Sequence, residues 1–444
     1  MPLSILITAS AADGHMGPML AAARHLASVG HRVRFLAGDR FAEPVTRTGA
    51  EFLPWPADGQ VDHLTAAAEE SGRGGIAALG RAVERVFIAP AAGQYRAIRE
   101  AFEAAPTDVL VTEQAVVGAA VVTVDRRPHP PVVVCGILPM GFSSRDAAPM
   151  GLGLLPRPGL AGRIRNTALN RLVRHVVLRR PQRSAERVVR ELVGGRLEGY
   201  FMDWASNADR FAQLTVPGFE YPRSDLPANA SFVGPFMGAS SRVVPPPEWW
   251  GDLDGRRVVH VSQGTVANLD LGELIAPTLR ALADRDVLVV ATTGGAPVSS
   301  LGPLPPNARV AEYVPYDLLM PRTSAFVTNG GYGGLHYALA HGVPIVTAGE
   351  TEDKIETGRR VEWSGAGINL RTQHPTERAI ADAVDEVLRT PGYRAKAQGL
   401  AREIEASPGL AGFERLLGEV VAGRSGAVPR AAGAGPTARA AGRS

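Results

Sequence analysis

The feature that most constrains this chain is an apolar strand running into a glycine-bearing turn and then a helix, repeated along its length. Ser4–Thr8 is a short apolar run, followed by the polar turn Ala12-Asp13-Gly14-His15-Met16-Gly17. Pro18 is expected in the first turn of a helix, where its missing N–H costs no hydrogen bond. The stripe Leu20, Ala23, Leu26, Ala27 predicts that helix over Met19–Val29, with Gly30 as its stop. His31–Ala37 returns as a second strand, and further strands are expected at Asp108–Val111 and Val132–Cys135. Such alternation predicts parallel sheets covered by helices.

The second half repeats the rhythm. Arg257–Val261 leads into Ser262-Gln263-Gly264-Thr265, and Val287–Ala291 into Thr292-Thr293-Gly294-Gly295. Ala325–Thr328 leads into Asn329-Gly330-Gly331, and Val343–Thr347 is a further strand. Between the halves, Pro245-Pro246-Pro247 suits a stiff, extended linker. The 444 residues then divide into an N-terminal α/β domain (1–235), a linker (236–250), a C-terminal α/β domain (251–422) and a tail (423–444) that reads as disordered. In open parallel sheets ligands sit beyond the carboxyl ends of the strands. All of these turns fall there, so the expected fold is α/β, two Rossmann-like domains facing across a cleft that holds the site.

Composition removes several function classes. A lone cysteine, Cys135, excludes a disulfide framework and a thiolate metal site. No apolar run reaches the roughly 18 residues that span a bilayer. The first residues lack the basic segment of a signal peptide, so a soluble, cytoplasmic protein is expected. A net charge of +3, from 47 basic and 44 acidic residues, makes no case for nucleic-acid binding.

The strongest local motif is Asn329-Gly330-Gly331-Tyr332-Gly333-Gly334, between an apolar strand and the helical stretch Leu335–Ala340. Glycines let backbone approach an anion closely, and the unsatisfied N–H groups of a helix start favour a diphosphate. A turn that binds nothing fits the glycines alone equally well. Thr265 and Thr293, at equivalent strand ends, can add hydroxyl donors or simply cap helices.

Taken in order, Glu312-Tyr313-Val314-Pro315, Asn329-Gly330-Gly331, Gly342-Val343-Pro344 and Glu352-Asp353-Lys354 resemble the donor-binding signature of the family 1 glycosyltransferases. Gly14-His15-x-x-Pro18 matches their N-terminal, acceptor-side motif, and the similarity runs from residue 4 to about 405. It is closest to the bacterial natural-product branch that includes macrolide glycosyltransferases. The resemblance implies a GT-B fold and a nucleotide-diphosphate sugar, UDP- or dTDP-linked, as co-substrate. It also implies inverting transfer to a hydroxyl of a small hydrophobic acceptor, with no metal and no other cofactor.

On this resemblance His15 is the general base, flanked by Gly14 and Met16 on the acceptor side. A neutral histidine has the near-neutral pKa that the task needs. The acidic partner of that base falls at Glu113, where the family usually has aspartate; a surface carboxylate at a helix start is the alternative. Gly264, Thr265, Thr293, Tyr313, Val314, Asn329, Gly330, Gly331, Gly333, Gly334, Asp353 and Lys354 form the expected donor site. Asn329 replaces a histidine that binds the donor phosphate, and an amide donates hydrogen bonds without carrying charge. Lys354 replaces a neutral glutamine, which opens the possibility of an anionic group on the donor. Tyr313 falls where the family stacks the nucleobase, though core packing explains an aromatic there equally well. Asp252-Leu253-Asp254 has the spacing of a metal-binding pair but lies away from the strand ends, and reads as a solvated turn.

Residues 157–196 hold eleven arginines against two glutamates, with Leu169, Leu172, Val173, Val176 and Val177 at helical spacing. A basic amphipathic helix can rest on an anionic membrane, but a solvated helical insertion beside the acceptor pocket is the preferred expectation. Three rivals remain. A non-catalytic nucleotide-sugar-binding protein would explain the three departures, and a lipid glycosyltransferase would use the basic stretch. A nicotinamide oxidoreductase fits least, because Gly14-His15-Met16-Gly17 is not Gly-x-Gly-x-x-Gly.

Overall fold

Consecutive side chains of the central strands are all buried, so both faces of each strand are covered, as parallel sheets require. The computed structural model describes residues 1–61, 76–238, 244–264, 270–351 and 353–425. Strands β1 (Ser4–Thr8), β2 (Arg32–Ala37), β3 (Glu51–Pro54), β4 (Val109–Glu113), β5 (Val132–Gly136), β6 (Arg210–Gln213) and β7 (Ala230–Phe232) form one parallel sheet, ordered β3-β2-β1-β4-β5-β6-β7. Strands β8 (Val258–Ser262), β9 (Leu288–Thr292), β10 (Ala308–Ala311), β11 (Thr323–Thr328), β12 (Ile345–Thr347) and β13 (Gly367–Asn369) form a second, ordered β10-β9-β8-β11-β12-β13.

The period of two places the core. Ile5, Ile7, Val109, Val111, Val133 and Cys135 enter one apolar layer, while Leu6, Leu110, Val132 and Val134 enter the opposite one. In the second sheet Val259, Val261, Val289 and Ala291 face one cluster, and Val258, Leu288 and Val290 face another. Both strand orders reverse direction once, between β1 and β4 and between β8 and β11. Such reversals open a crevice at the carboxyl ends of the two central strands.

The first helix runs Asp13–Ser28, not from Met19. The Ala12 carbonyl accepts from the N–H groups of His15 (3.0 Å) and Met16 (2.9 Å), so the expected polar turn is already helical. Pro18 therefore lies inside the helix and forgoes its bond to the carbonyl of Gly14, an exposed residue. Of the linker, residues 239–243 lie outside the described residues. Glu248–Leu253 is a short 3-10 helix whose Trp249 and Trp250 pack beside Val258 and Leu288.

The halves are joined by buried polar contacts as well as apolar ones. Gln213 Nε2 lies 3.3 Å from the Tyr332 hydroxyl, and Thr215 Oγ1 lies 2.6 Å from His336 Nε2. The helix Gly409–Ser425 returns to the first sheet, where Phe413, Leu417 and Val420 are buried in the layer that holds Ile5 and Ile7. Its Glu414 reaches His25 at 3.1 Å and His31 at 3.6 Å. The tail from 426 onward lies outside the described residues.

The basic stretch folds as helices Gly159–Leu172 and Arg179–Val193, joined by a wider π turn at Val173–Val177. Arg163 pairs with Asp146 and Arg180 with Glu84, while Leu160, Ile164, Leu172 and Val176 are exposed. Among the described residues no helix is long and apolar enough to cross a membrane.

Candidate active site

Each crevice carries one part of the expected site. At the first, the alternation along β4 decides the geometry. Val109 and Val111 face the layer covered by the helix Asp13–Ser28, so Glu113 faces it too. β1 and β4 pair in register, Ile7 against Val111, which brings the end of β4 level with the turn that follows β1. His15 Nδ1 lies 3.2 Å from Glu113 Oε1 and 2.9 Å from Ser10 Oγ. Glu113 is fully buried, whereas the His15 side chain keeps 17% of its surface exposed.

Burial by itself raises the Glu113 carboxyl. The His15 charge and hydrogen bonds from His15, Ala115 N–H (2.6 Å) and Ser10 N–H (3.1 Å) outweigh it and hold the carboxyl below its ordinary value. The group is thus a carboxylate at neutral pH. In the tautomer with the proton on Nδ1, that N–H faces Glu113 and Ser10, which puts the basic lone pair on Nε2. Glu113 is no surface carboxylate at a helix start, the alternative the sequence left open. Ser10 carries no sequence signal beyond its place after β1. Gly14 is exposed at the helix start, but Met16 is fully buried in the core layer, so its side chain packs there and does not face a ligand.

At the second crevice, Asn329 follows β11 and Gly264 follows β8. Asn329 is 3% exposed, and its Nδ2 donates to the carbonyl of Gln263 across the crevice. Its Oδ1 is buried without a hydrogen-bond partner among the described residues and lies between Gly264 and Gly331. Gly330 has φ +100°, a conformation that side-chain-bearing residues rarely adopt, and the helix Tyr332–Ala340 starts directly after it. Gly333 is exposed and Gly334 half-buried in the first turn. Thr357 Oγ1 donates to the Gly330 carbonyl at 2.6 Å and ties this turn to the helix Lys354–Ser364.

Neighbouring loops complete the rim. Thr293 is fully buried with its hydroxyl on the Ala296 carbonyl, and the Tyr313 hydroxyl donates to the Gly294 carbonyl at 2.8 Å. Val314 packs in the cluster with Leu288 and Val290, a core position for its side chain. Asp353 is half-buried at the start of the helix Lys354–Ser364. Lys354 is 4% exposed, its stem beside Gly330 and Gly349 and its Nζ 3.4 Å from Thr351 Oγ1. Thr265 and Glu352 lie outside the described residues. Asp252 and Asp254 are held by Arg309 (2.6 Å) and Arg322 (2.8 Å) at a distant turn.

Residues 276–414 match the model of the erythromycin biosynthesis protein CIII-like C-terminal domain. Over 412 residues the chain is 44% identical to 4'-demethylrebeccamycin synthase of Lentzea aerocolonigenes, covering 91% of this chain and 96% of that protein. The chain belongs to the family 1 glycosyltransferases.

This glycosyltransferase is of the natural-product type, a group that draws on nucleotide-sugar donors. It is also 32% identical to UDP-glucosyltransferase B1 of Starmerella bombicola, over 92% of this chain and 96% of that one. In fold it matches the glycosyltransferase of kitacinnamycin, with a TM-score of 0.74 at 22% identity over 95% of this chain and 100% of that chain. The glycosyltransferase VinC in complex with dTDP matches at a TM-score of 0.68 and 19% identity, covering 95% of this chain and 100% of that chain. Each of the enzyme's two parallel sheets carries one of the crevices, which is the two-domain GT-B arrangement of these neighbours.

Proposed function

We propose that the enzyme is an inverting, metal-independent glycosyltransferase. It moves a sugar from a UDP- or dTDP-linked donor to a hydroxyl of a small, hydrophobic natural-product acceptor. The observation that carries this reading is the 3.2 Å contact between a partly exposed His15 and a fully buried, ionised Glu113 at the first sheet's reversal point. Glu113 orients the imidazole and stabilises the imidazolium that forms when Nε2 takes the acceptor proton. The freed oxygen attacks the anomeric carbon on the face opposite the diphosphate. The bond to the diphosphate breaks through an oxocarbenium-like state, in one displacement.

The donor's negative charge falls to the second crevice. The turn Asn329–Gly334, with the N–H groups that open the helix Tyr332–Ala340, offers donors to the departing diphosphate without a metal. Gly264 and Thr293 border the same crevice, and Asp353 and Lys354 stand where the sugar hydroxyls and any anionic donor group would lie. The UDP named in the fungal relatives and the dTDP bound to VinC both support a pyrimidine nucleotide.

A thermal-shift panel of UDP, dTDP, GDP and NAD tests class and donor together, since a ligand of the native state raises its melting temperature. A response to UDP or dTDP is expected, and a response to NAD alone would replace this reading with the oxidoreductase. Proton NMR of the first product should show the anomeric configuration inverted. Unchanged donor affinity in Lys354→Gln would remove that residue from the donor site.

A further inference from the structure

The helix Lys354–Ser364 begins with two expected donor-site residues, and its next turn bears a buried charge cluster that the proposed reaction does not use. Glu356, Arg360 and Glu220 are 4%, 1% and 3% exposed. Arg360 grips Glu220 bidentately, Nε to Oε1 at 2.9 Å and Nη2 to Oε2 at 3.0 Å, and its Nη1 reaches Glu356 Oε2 at 3.1 Å. The guanidinium also stacks over Tyr221, 4.3 Å from the ring centroid. Glu220 belongs to the N-terminal half, so the cluster spans the two halves.

Apart from the Tyr221 N–H on Glu220 Oε2 at 3.3 Å, its outer bonds end on one segment. Glu356 Oε1 accepts the N–H groups of Gly151 and Gly153, both at 2.9 Å, and Glu220 Oε1 accepts the N–H of Met140 at 3.0 Å. Arg223 takes the carbonyls of Met140 (2.7 Å) and Phe142 from the other side. The segment 140–153, which follows β5, is thereby held at both ends through a helix of the opposite half. It lies close against that helix, since a Cβ at Gly153 would come within 2.6 Å of Ile355 Cγ1.

Buried ion pairs of this kind are seldom the cheapest route to stability, because desolvation cancels much of their attraction. Their directional bonds do fix geometry. Here they fix an N-terminal segment beside the start of the helix that carries Asp353 and Lys354. We propose that Glu356, Arg360 and Glu220 are positioning residues that set the segment 140–153 as the acceptor-side wall facing the donor sugar. This rests on the donor and acceptor assignments above. Among the described residues none of the three side chains hydrogen-bonds to His15, Glu113 or the turn Asn329–Gly334, so their loss should act on acceptor affinity before donor affinity.

Glu356→Gln tests this, because it keeps the side chain's size and its oxygen for the glycine N–H groups but removes the charge facing Arg360. Two readouts are needed: amide hydrogen exchange, and steady-state kinetics with UDP-glucose or dTDP-glucose and a planar phenol that the wild-type enzyme turns over. Amides of 140–155 should exchange about tenfold faster while those of 109–115 do not change. The acceptor KM should rise roughly tenfold with the donor KM unchanged. Glu356→Asp, which keeps the charge, should recover part of the acceptor KM.

Gly153→Ala, which pushes the segment off Ile355 without altering charge, should move the same two readouts and serves if Glu356→Gln does not fold. Unmoved exchange and acceptor KM would overturn the proposal. So would a uniform rise in exchange with both KM values shifted, because that is a loss of structure and not of position. A wild-type protein that binds neither UDP nor dTDP defeats the functional reading instead, and the exchange data still decide whether the segment is held this way.

Discussion

The two sheets solve the same topological problem with opposite chemistry. At the β1/β4 reversal the enzyme places a histidine against a buried carboxylate. At the β8/β11 reversal it places a neutral amide, Asn329, against a backbone carbonyl, with glycines on both sides. The difference follows from what each crevice is proposed to do. Taking a proton from a hydroxyl needs a base whose charge can change. Holding a diphosphate needs many fixed donors and no bulk, which backbone N–H groups provide.

His15→Ala should have the largest effect. Transfer should fall by roughly 10²–10⁴-fold, while the melting shift with UDP or dTDP stays as in the wild type. Near-normal turnover in that variant would abolish the contrast between the crevices. Next comes Asn329→Asp, which puts a negative charge where the neutral amide stands. It should weaken nucleotide binding by about tenfold or more, measured by titration calorimetry, without touching the pair at His15.

Glu113→Gln sharpens the comparison through pH. The folded-state carboxyl lies below its ordinary value of 4.5. Its stabilising contribution is therefore complete above that value and is lost as pH falls through the lower folded-state value. At pH 7 the variant should be less stable by about 1.5–3 kcal/mol, and denaturant titrations should show the gap closing as the solution is acidified below 4.5. A gap that does not depend on pH would mean that the charge of Glu113 contributes nothing. The smallest effect is expected from Thr357→Val, which removes the bond to the Gly330 carbonyl. About 1 kcal/mol of stability and a few-fold loss of nucleotide affinity should follow.

How much of this could be read from the sequence depends on where each partner lies in the chain. β1, β4, β5, β8, β9 and β11 announce themselves as continuous apolar runs, since both faces of a central strand are buried. β3, β6, β7, β10 and β13 have only three or four residues, too few for a period to register. His15 and Glu113 were legible because each sits at the end of an apolar run, and the resemblance supplied their pairing. The helix start at Asp13 was not, because Gly14, Gly17 and Pro18 all speak against a helix until the Ala12 carbonyl finds two donors. Met16 and Val314 show the limit of motif reading, as a residue within a motif can face the core. The cluster at Arg360 left half a signal, Glu356 four residues earlier on one helix face. Glu220 lies 140 residues away, and only the fold brings it there.

The returning helix Gly409–Ser425 sets a rule for anyone recombining this enzyme with its relatives. Phe413, Leu417 and Val420 fill the first sheet's core from the far end of the chain. A chimera that exchanges everything after the proline run would graft a foreign plug into the N-terminal half, so a workable hybrid needs two junctions. The second belongs in the turn before Gly409, so that the final helix travels with the strands it covers.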